Sequence, residues 1–217
     1  MRDELMEVFL RWGKCGAMRV DNGEPLGSPK KNTTSALALW LIANDVDMIF
    51  NKPYCPQSNA KVERMQDVSA RWAEILQAQN LIDLQNRLDK ESIFQRTEFC
   101  VSRLENKTRL QTFPELETSR RVFRSECFDP QRVYDFLAQK IYIRLVSKTG
   151  QIALFGERFS VGLQFKSQYV EIKLDPTKCL WSIFIGNKAI KTHIATNLSK
   201  ERLQNLTVYV KERRDET

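Results

Sequence analysis

The sequence has few of the residues on which disulfide and metal chemistry depend. Its 217 residues include five scattered cysteines without a CxxC pair and a single histidine, His193. A disulfide framework and a zinc ribbon are therefore not expected, and one histidine cannot build a multi-histidine zinc site. His193 lies in an alternating stretch, which predicts a strand side chain. GxGxxG, GxxxxGKS/T and GxSxG are also absent, which excludes the common phosphate-binding loops and the serine-hydrolase elbow.

Long hydrophobic runs are absent as well. The longest nearly unbroken apolar run covers residues 36 to 43, less than half of a membrane span. The N-terminus carries Asp3, Glu4 and Glu7, where a signal peptide needs basic and then apolar residues. We expect a soluble cytoplasmic protein with no membrane partner.

Positive charge is concentrated in one part of the chain. Residues 140 to 200 contain ten basic and three acidic residues, an excess that equals the whole net charge of +7. Such a segment presents a field suited to a polyanion, most simply a nucleic-acid backbone. A lysine-rich solubilising surface on a small β domain is the alternative. The basic residues are Lys140, Arg144, Lys148, Arg158, Lys166, Lys173, Lys178, Lys188, Lys191 and Lys200.

The N-terminal half alternates strand and helix patterns, which predicts an α/β layer. Strands are predicted at residues 17 to 20 and 47 to 50. The apolar helix between them begins after Thr33 or Thr34, either of which is a suitable N-cap. A long helix is predicted from Ser58 onward, and a second one follows after a break near Asn80. Residues 103 to 124 form an irregular basic connector with Arg103, Lys107, Arg109, Arg120, Arg121 and Arg124.

The C-terminal part changes from helical periodicity to a period of two after Pro130. Four β-rich runs are joined by turn signals that include Gly150, Pro176 and Gly186. About five short strands predict a small barrel, an architecture that closes off the edges of a sheet. We therefore expect two domains, an α/β domain over residues 1–128 and a small all-β barrel over residues 129–217.

Two carboxylates stand at the junctions of these patterns. Asp21 ends a predicted strand, and Glu63 follows a proline-containing loop near the start of the long helix. Each residue taken singly is ordinary, Asp21 in a turn and Glu63 on a solvated helix. Together, the order of strand, helix, strand, loop and helix brings both to one end of a sheet. Such oxygen ligands suit Mg²⁺ or Mn²⁺, and two ions about 4 Å apart promote phosphoryl transfer.

Two stretches carry a family resemblance, Arg19-Val20-Asp21-Asn22-Gly23 and the run PYCPQSNAKVER that contains Glu63. They resemble the catalytic core of DDE insertion-sequence transposases and retroviral-type integrases. This resemblance implies an RNase H-like fold and DNA strand transfer during integration and recombination, with two Asp and one Glu holding two Mg²⁺ or Mn²⁺ ions. In it, Asp21 matches the second Asp and Glu63 the Glu, as catalytic and metal-binding residues. Residues 135 to 195 resemble the small SH3-like barrel that helps to hold DNA.

The chain departs from the family pattern at two points. The spacing between Asp21 and Glu63 is longer, which we attribute to a loop insertion over residues 27 to 33. The strand that should carry the first Asp belongs well upstream of Asp21, and Asp3 opens a helix instead. We therefore expect an N-terminally truncated RNase H-like core that lacks the first catalytic Asp, so that metal binding is incomplete.

DNA contacts are expected in two places. Asn59, Lys61 and Arg64 flank Glu63 at the start of its helix, where anions are favoured, although ordinary solvated helix residues would look the same. On the predicted barrel, four lysines would neutralise the phosphates of the DNA backbone. The resulting binding would depend on salt concentration and not on the base sequence. These lysines are Lys166, Lys173, Lys188 and Lys191.

Two functions remain open from the sequence. The first is a DDE transposase fragment that acts on transposon ends and target DNA once the missing Asp is supplied. The second is a non-catalytic DNA-binding or interaction module, in which the barrel and the basic connector bind transposon ends or a full-length transposase and interfere with it, and which forms a homo-oligomer. Either protein is expected at the bacterial nucleoid when it is bound to DNA. A small β-barrel adaptor for RNA has no motif in its favour.

We predict that this polypeptide alone shows no metal-dependent strand transfer, because the implied triad lacks one carboxylate. The measurement is a joining assay with duplex DNA and Mg²⁺ or Mn²⁺, with Asp21→Asn and Glu63→Gln run in parallel. Robust joining that disappears in both variants would contradict this prediction.

Overall fold

The computed structural model describes residues 1–21, 23–26, 33–52, 55, 57, 60–118 and 121–210, which form a mixed α/β protein. The chain divides into two compact units. The first comprises Met1–Met6, Cys15–Phe50 and Phe123–Thr217, and the second comprises Glu7–Lys14 and Asn51–Val122. The domain boundary near residue 128 stays a prediction. The loop insertion over residues 27 to 33 and the proline loop lie largely outside the described residues.

The helices and strands of the described part of the chain follow in sequence order. The helices are α1 (Arg2–Trp12), α2 (Ala36–Ala43), α3 (Ala60–Trp72), α4 (Leu81–Thr97), α5 (Arg109–Thr112), α6 (Glu115–Thr118), α7 (Pro130–Ala138) and α8 (Lys200–Gln204). The strands are β1 (Ala17–Val20), β2 (Asp47–Phe50), β3 (Tyr142–Leu145), β4 (Gln151–Leu154), β5 (Glu157–Ser160), β6 (Tyr169–Asp175), β7 (Leu180–Ile185) and β8 (Lys188–Ile194). No described helix combines the length and the apolar character that crossing a membrane requires.

The first unit contains the predicted strand–helix–strand element. Strands β1 and β2 form a parallel pair, with Ala17 opposite Asp47 and Val20 opposite Phe50, and α2 connects them. Both strands have the predicted bounds. The cap differs from the prediction, because the Ser35 hydroxyl, rather than Thr33 or Thr34, accepts a hydrogen bond from the Ala38 amide. Ser35 stands three residues before that amide, the spacing that a side-chain cap requires.

Helix α2 is buried over its whole circumference. Every residue from Leu37 to Ala43 is buried, and α2 packs against β2, α7 and α8. The Asp129 amide at the start of α7 donates to the Ala43 carbonyl at 2.9 Å, and the Lys140 ammonium donates to the Thr34 hydroxyl at 3.1 Å. The residues that follow position 123 therefore help to enclose a helix that lies far earlier in the chain.

The β-rich part of the first unit is an open arrangement. Strands β3, β6, β7 and β8 form a four-stranded antiparallel sheet in that order, and β4 with β5 forms a separate hairpin. The expected closed barrel is therefore not found among the described residues. The hairpin meets β8 through side chains instead of a backbone ladder, since the His193 ring hydrogen-bonds the Ser160 carbonyl at 2.7 Å and Lys191 donates to the Ser160 hydroxyl at 3.3 Å. The strand prediction for His193 is confirmed.

An aromatic cluster fills the core between the hairpin and the sheet. Tyr142 and Phe155 meet edge to face at 5.6 Å, and Phe155 stacks on Trp181 at 5.8 Å. Asn197 is fully buried beside them. Its side-chain amide donates to the Phe155 carbonyl at 3.2 Å and accepts from the Trp181 indole at 3.5 Å. One polar side chain therefore connects the hairpin to the sheet.

Two helices of the first unit were not predicted. Helix α7 is capped by Asp129, whose carboxylate accepts from the Gln131 amide at 2.9 Å, and it has Pro130 in its first turn. Helix α8 is capped by Ser199. Both starts carry ordinary helix signals, which the neighbouring β periodicity masked.

The second unit is built mainly from α3 and α4. The break near Asn80 is confirmed, because the Asn80 side chain caps α4 by accepting from the Asp83 amide at 2.9 Å. Trp72 of α3 packs edge to face on Phe94 and Phe99, at 5.8 and 4.8 Å. These rings join the last turn of α3 to the last turn of α4 and the residues that follow it.

We predict that Asn197→Ala lowers the free energy of unfolding by about 2 kcal/mol, because the Phe155 carbonyl and the Trp181 indole lose a buried partner. The measurement is urea unfolding followed by Trp fluorescence. Thr192→Ala, at an exposed strand position, is the matched control. Equal, small effects of both substitutions would contradict the connecting role of Asn197.

Candidate nucleic-acid interface

The two predicted catalytic carboxylates are both exposed. Asp21 follows β1 directly, and its Oδ1 accepts from the Gly23 amide at 3.0 Å in a local turn. Glu63 lies in the first turn of α3. Asp21 belongs to the first compact unit and Glu63 to the second.

The predicted metal site can be compared with the donor set that its chemistry needs. Carboxylate oxygens suit Mg²⁺ or Mn²⁺, and both Asp21 and Glu63 provide them. Among the described residues, however, no three side chains of Asp, Glu, His or Cys form a group that could hold a metal ion. The described residues therefore do not complete the three-carboxylate site that the resemblance implies.

Lys61 and Arg64 lie on a different face of α3 from Glu63. A helix turns by roughly 100° per residue, so positions 61, 64, 65 and 68 share one side and position 63 points away from it. Together with residues beyond α3, this side forms a cleft of about 310 Å³. The described residues that line the cleft are Lys61, Arg64, Met65, Val68, Gln95, Arg103 and Arg109. Asn59, the third residue of this predicted set, lies outside the described residues.

Arg109 is fixed in this cleft by the end of α4. Its guanidinium donates to the Gln95 carbonyl at 2.7 Å and lies 5.9 Å from the centre of the Phe99 ring. The last carbonyls of a helix have no partner within the helix, so Arg109 satisfies one of them. The Thr108 and Gln111 side chains form a capping box at the start of α5, which holds Arg109 in position.

Lys188 and Lys191 are brought to the same side of the sheet by an irregularity in β8. Residues three apart in a regular strand point to opposite faces. In β8 the register shifts so that Lys188 pairs with Ile185 and Lys191 with Ile183, which leaves Ile190 as an extra residue. Such a bulge restores both lysines to one face.

The other two predicted lysines are placed differently. Lys173 pairs with Ser182, on the opposite face of the sheet from Ile183, and its ammonium lies 3.7 Å from the Glu171 carboxylate. The same ammonium lies 5.3 Å from the centre of the Phe184 ring. Lys166 follows the short 3₁₀ turn Leu163–Phe165. The four lysines therefore do not form a single patch.

Arg103 and Arg109 are cleft residues that the sequence analysis did not name as individual DNA contacts. Both fell within the predicted basic connector, which was described as irregular. A signal for Arg109 was present, because Thr108-Arg109-Leu110-Gln111 has the spacing of a capping box. No comparable signal existed for Arg103, whose position depends on the 3₁₀ turn Ser102–Leu104.

Comparison with known proteins adds no family assignment, since no protein-family model matches this chain. The transposase and integrase resemblance therefore continues to depend on the residues around Asp21 and Glu63.

We predict that Arg109→Ala lowers the free energy of unfolding by about 1 to 2 kcal/mol, because the Gln95 carbonyl loses its charged donor. Thermal unfolding measures this change, and hydrogen exchange should show faster exchange in the last turn of α4. Arg103→Ala, an exposed residue of the same cleft, is the control. A stability of Arg109→Ala equal to that of the control would contradict the capping role.

Proposed function

We propose that this chain is a DNA-binding protein of the transposase and integrase type. In this proposal, strand transfer needs a third carboxylate in addition to Asp21 and Glu63, and the chain by itself contributes DNA binding. The RNase H-like and SH3-like assignments of its two parts belong to the same proposal. Transposon ends and target DNA are the proposed ligands, and a full-length transposase or a second copy of the chain is the proposed protein partner.

The observation that carries the proposal is the sign of the exposed charge between residues 140 and 200. Eight charged residues of this segment are exposed, and all eight are cations, while the 43% exposed side chain of Glu171 is paired with Lys173. An excess of exposed cations on a compact unit attracts the phosphate backbone of nucleic acids. These residues are Lys148, Arg158, Lys166, Lys173, Lys178, Lys188, Lys191 and Lys200.

The three acidic residues of the segment are each half-buried, and two of them form hydrogen bonds within the fold. Glu157 accepts from the Thr196 hydroxyl at 2.8 Å. Asp175 accepts from the amides of Thr177 and Lys178 at 3.0 and 3.1 Å, which closes the turn between β6 and β7. Glu157 and Asp175 therefore serve the local fold, Glu171 offsets the charge of Lys173, and the other exposed charges of the segment are cationic.

The resemblance around Asp21 and Glu63 is what favours DNA among the polyanions. Asp21 stands at the carboxyl end of a parallel strand and is followed by the helix α2 and the strand β2. This local order agrees with the order expected for a strand-transfer core. It supports the proposal without completing a catalytic site.

The test is equilibrium binding of a fluorescent duplex DNA by anisotropy at several salt concentrations. We predict that Lys188→Gln with Lys191→Gln weakens binding about tenfold and reduces the slope of log affinity against log salt by about 2, because each phosphate contact contributes about one unit. The control is Lys173→Gln with Lys178→Gln, which removes the same charge from the opposite face of the sheet and from the turn between β6 and β7. It should have the smaller effect, since Lys173 lies beside Glu171.

Two results would contradict the proposal. If the chain does not bind DNA at low salt, the lysines between residues 140 and 200 serve only to keep the protein soluble. An affinity that does not change with salt would show that phosphate neutralisation is not the source of binding.

A further inference from the structure

The cleft on the second unit has an unusual charge composition. Four of its lining side chains are cations, and none of the described residues that line it is a carboxylate. The cations come from three separate elements, with Lys61 and Arg64 on α3, Arg103 in a 3₁₀ turn and Arg109 at the start of α5. We propose that this cleft binds phosphate groups of a polynucleotide backbone.

Arg109 gives the cleft a preorganised donor. One guanidinium N–H of Arg109 is used by the Gln95 carbonyl at 2.7 Å, and this bond fixes the plane of the group. A guanidinium has five N–H donors, so the fork retains donors for a phosphate oxygen after that bond is made. A planar fork held in place loses little freedom when it binds a phosphate.

The apolar residues of the cleft strengthen the attraction. Met65 and Val68 line it together with the cations. Charges of one sign set in a concave surface with low-dielectric walls focus the field and raise the local concentration of anions. Gln95, which is only 4% exposed, closes the cleft on the side of α4.

A neighbouring cleft in the same unit shows the opposite arrangement. It has a volume of about 650 Å³, and its cations Arg71, Arg87 and Lys90 are accompanied by Glu74, Asp83 and Glu91. Arg87 pairs directly with Asp83 at 3.1 Å. In the larger cleft, carboxylates accompany the cations. In the cleft lined by Arg64 and Arg109, they do not, as expected if only this cleft binds phosphates.

This inference rests on the proposed function for the identity of the polyanion, but the cleft is separate from the lysines of the β sheet and can be tested independently of them. The test uses the full chain with Arg64→Gln and Arg103→Gln combined, both at exposed positions. The matched control combines Arg71→Gln and Lys90→Gln, which removes the same charge from the neighbouring cleft. Arg109 is left intact because it caps α4.

Anisotropy with the duplex probe should show about tenfold weaker binding for the Arg64 and Arg103 variant and a salt slope reduced by about 2. The control should stay within about twofold of the unaltered chain. Circular dichroism checks that each variant is folded, and Lys61→Gln alone provides a milder second variant that should lower the affinity in the same direction.

Equal losses in the variant and its control would contradict the proposal, because they would show a general charge effect. A second probe, inorganic phosphate, distinguishes a free oxyanion as the ligand. If phosphate stabilises the unaltered chain against heat while the cleft variant keeps full DNA affinity, the cleft binds a small oxyanion and the polynucleotide assignment is wrong. Loss of binding only in the Lys188 and Lys191 variant would overturn this inference and leave the proposed function standing.

Discussion

The burial of α2 is the constraint on which the first unit depends. Since every residue from Leu37 to Ala43 is buried, no side of this helix can face water without exposing apolar surface. Strand β2 covers one part, and α7 and α8 from the end of the chain cover others. The Asp129 amide on the Ala43 carbonyl ties α7 to the end of α2. The β-rich segment is therefore held in the same unit as β1 and β2.

Cationic groups lie in both units, but the local structure determines which of them are available to a ligand. On β8, a single extra residue moves Lys188 to the side of Lys191, whereas Lys173 lies on the other face beside Glu171. On α3, helical geometry separates Lys61 and Arg64 from Glu63. Strand register in the first unit and helix geometry in the second therefore determine which cations lie on the same face, where they can contact phosphates together.

Much of the local structure could be predicted from periodicity and turn residues. Strands β1 and β2 have their predicted bounds, and Asn80 caps α4 near the predicted break. The described residues do not form the predicted closed barrel. Alternation of polar and apolar residues predicts strands, but it does not show whether the first and last strands of a sheet pair with each other. The cleft could not be predicted, since it joins Arg64 to Arg103 and Arg109 across three elements. The apolar composition of α2 indicates that the helix is buried, but it does not indicate which helices and strands cover it.

The most direct measurement of the central claim, that this chain binds DNA through its exposed cations, is hydrogen–deuterium exchange of the full chain with and without duplex DNA. The account predicts slower exchange in β8 around Lys188 and Lys191 and in α3 around Lys61 and Arg64, with the protection lost at high salt. Unchanged exchange in both regions at low salt, with DNA in excess, would contradict it.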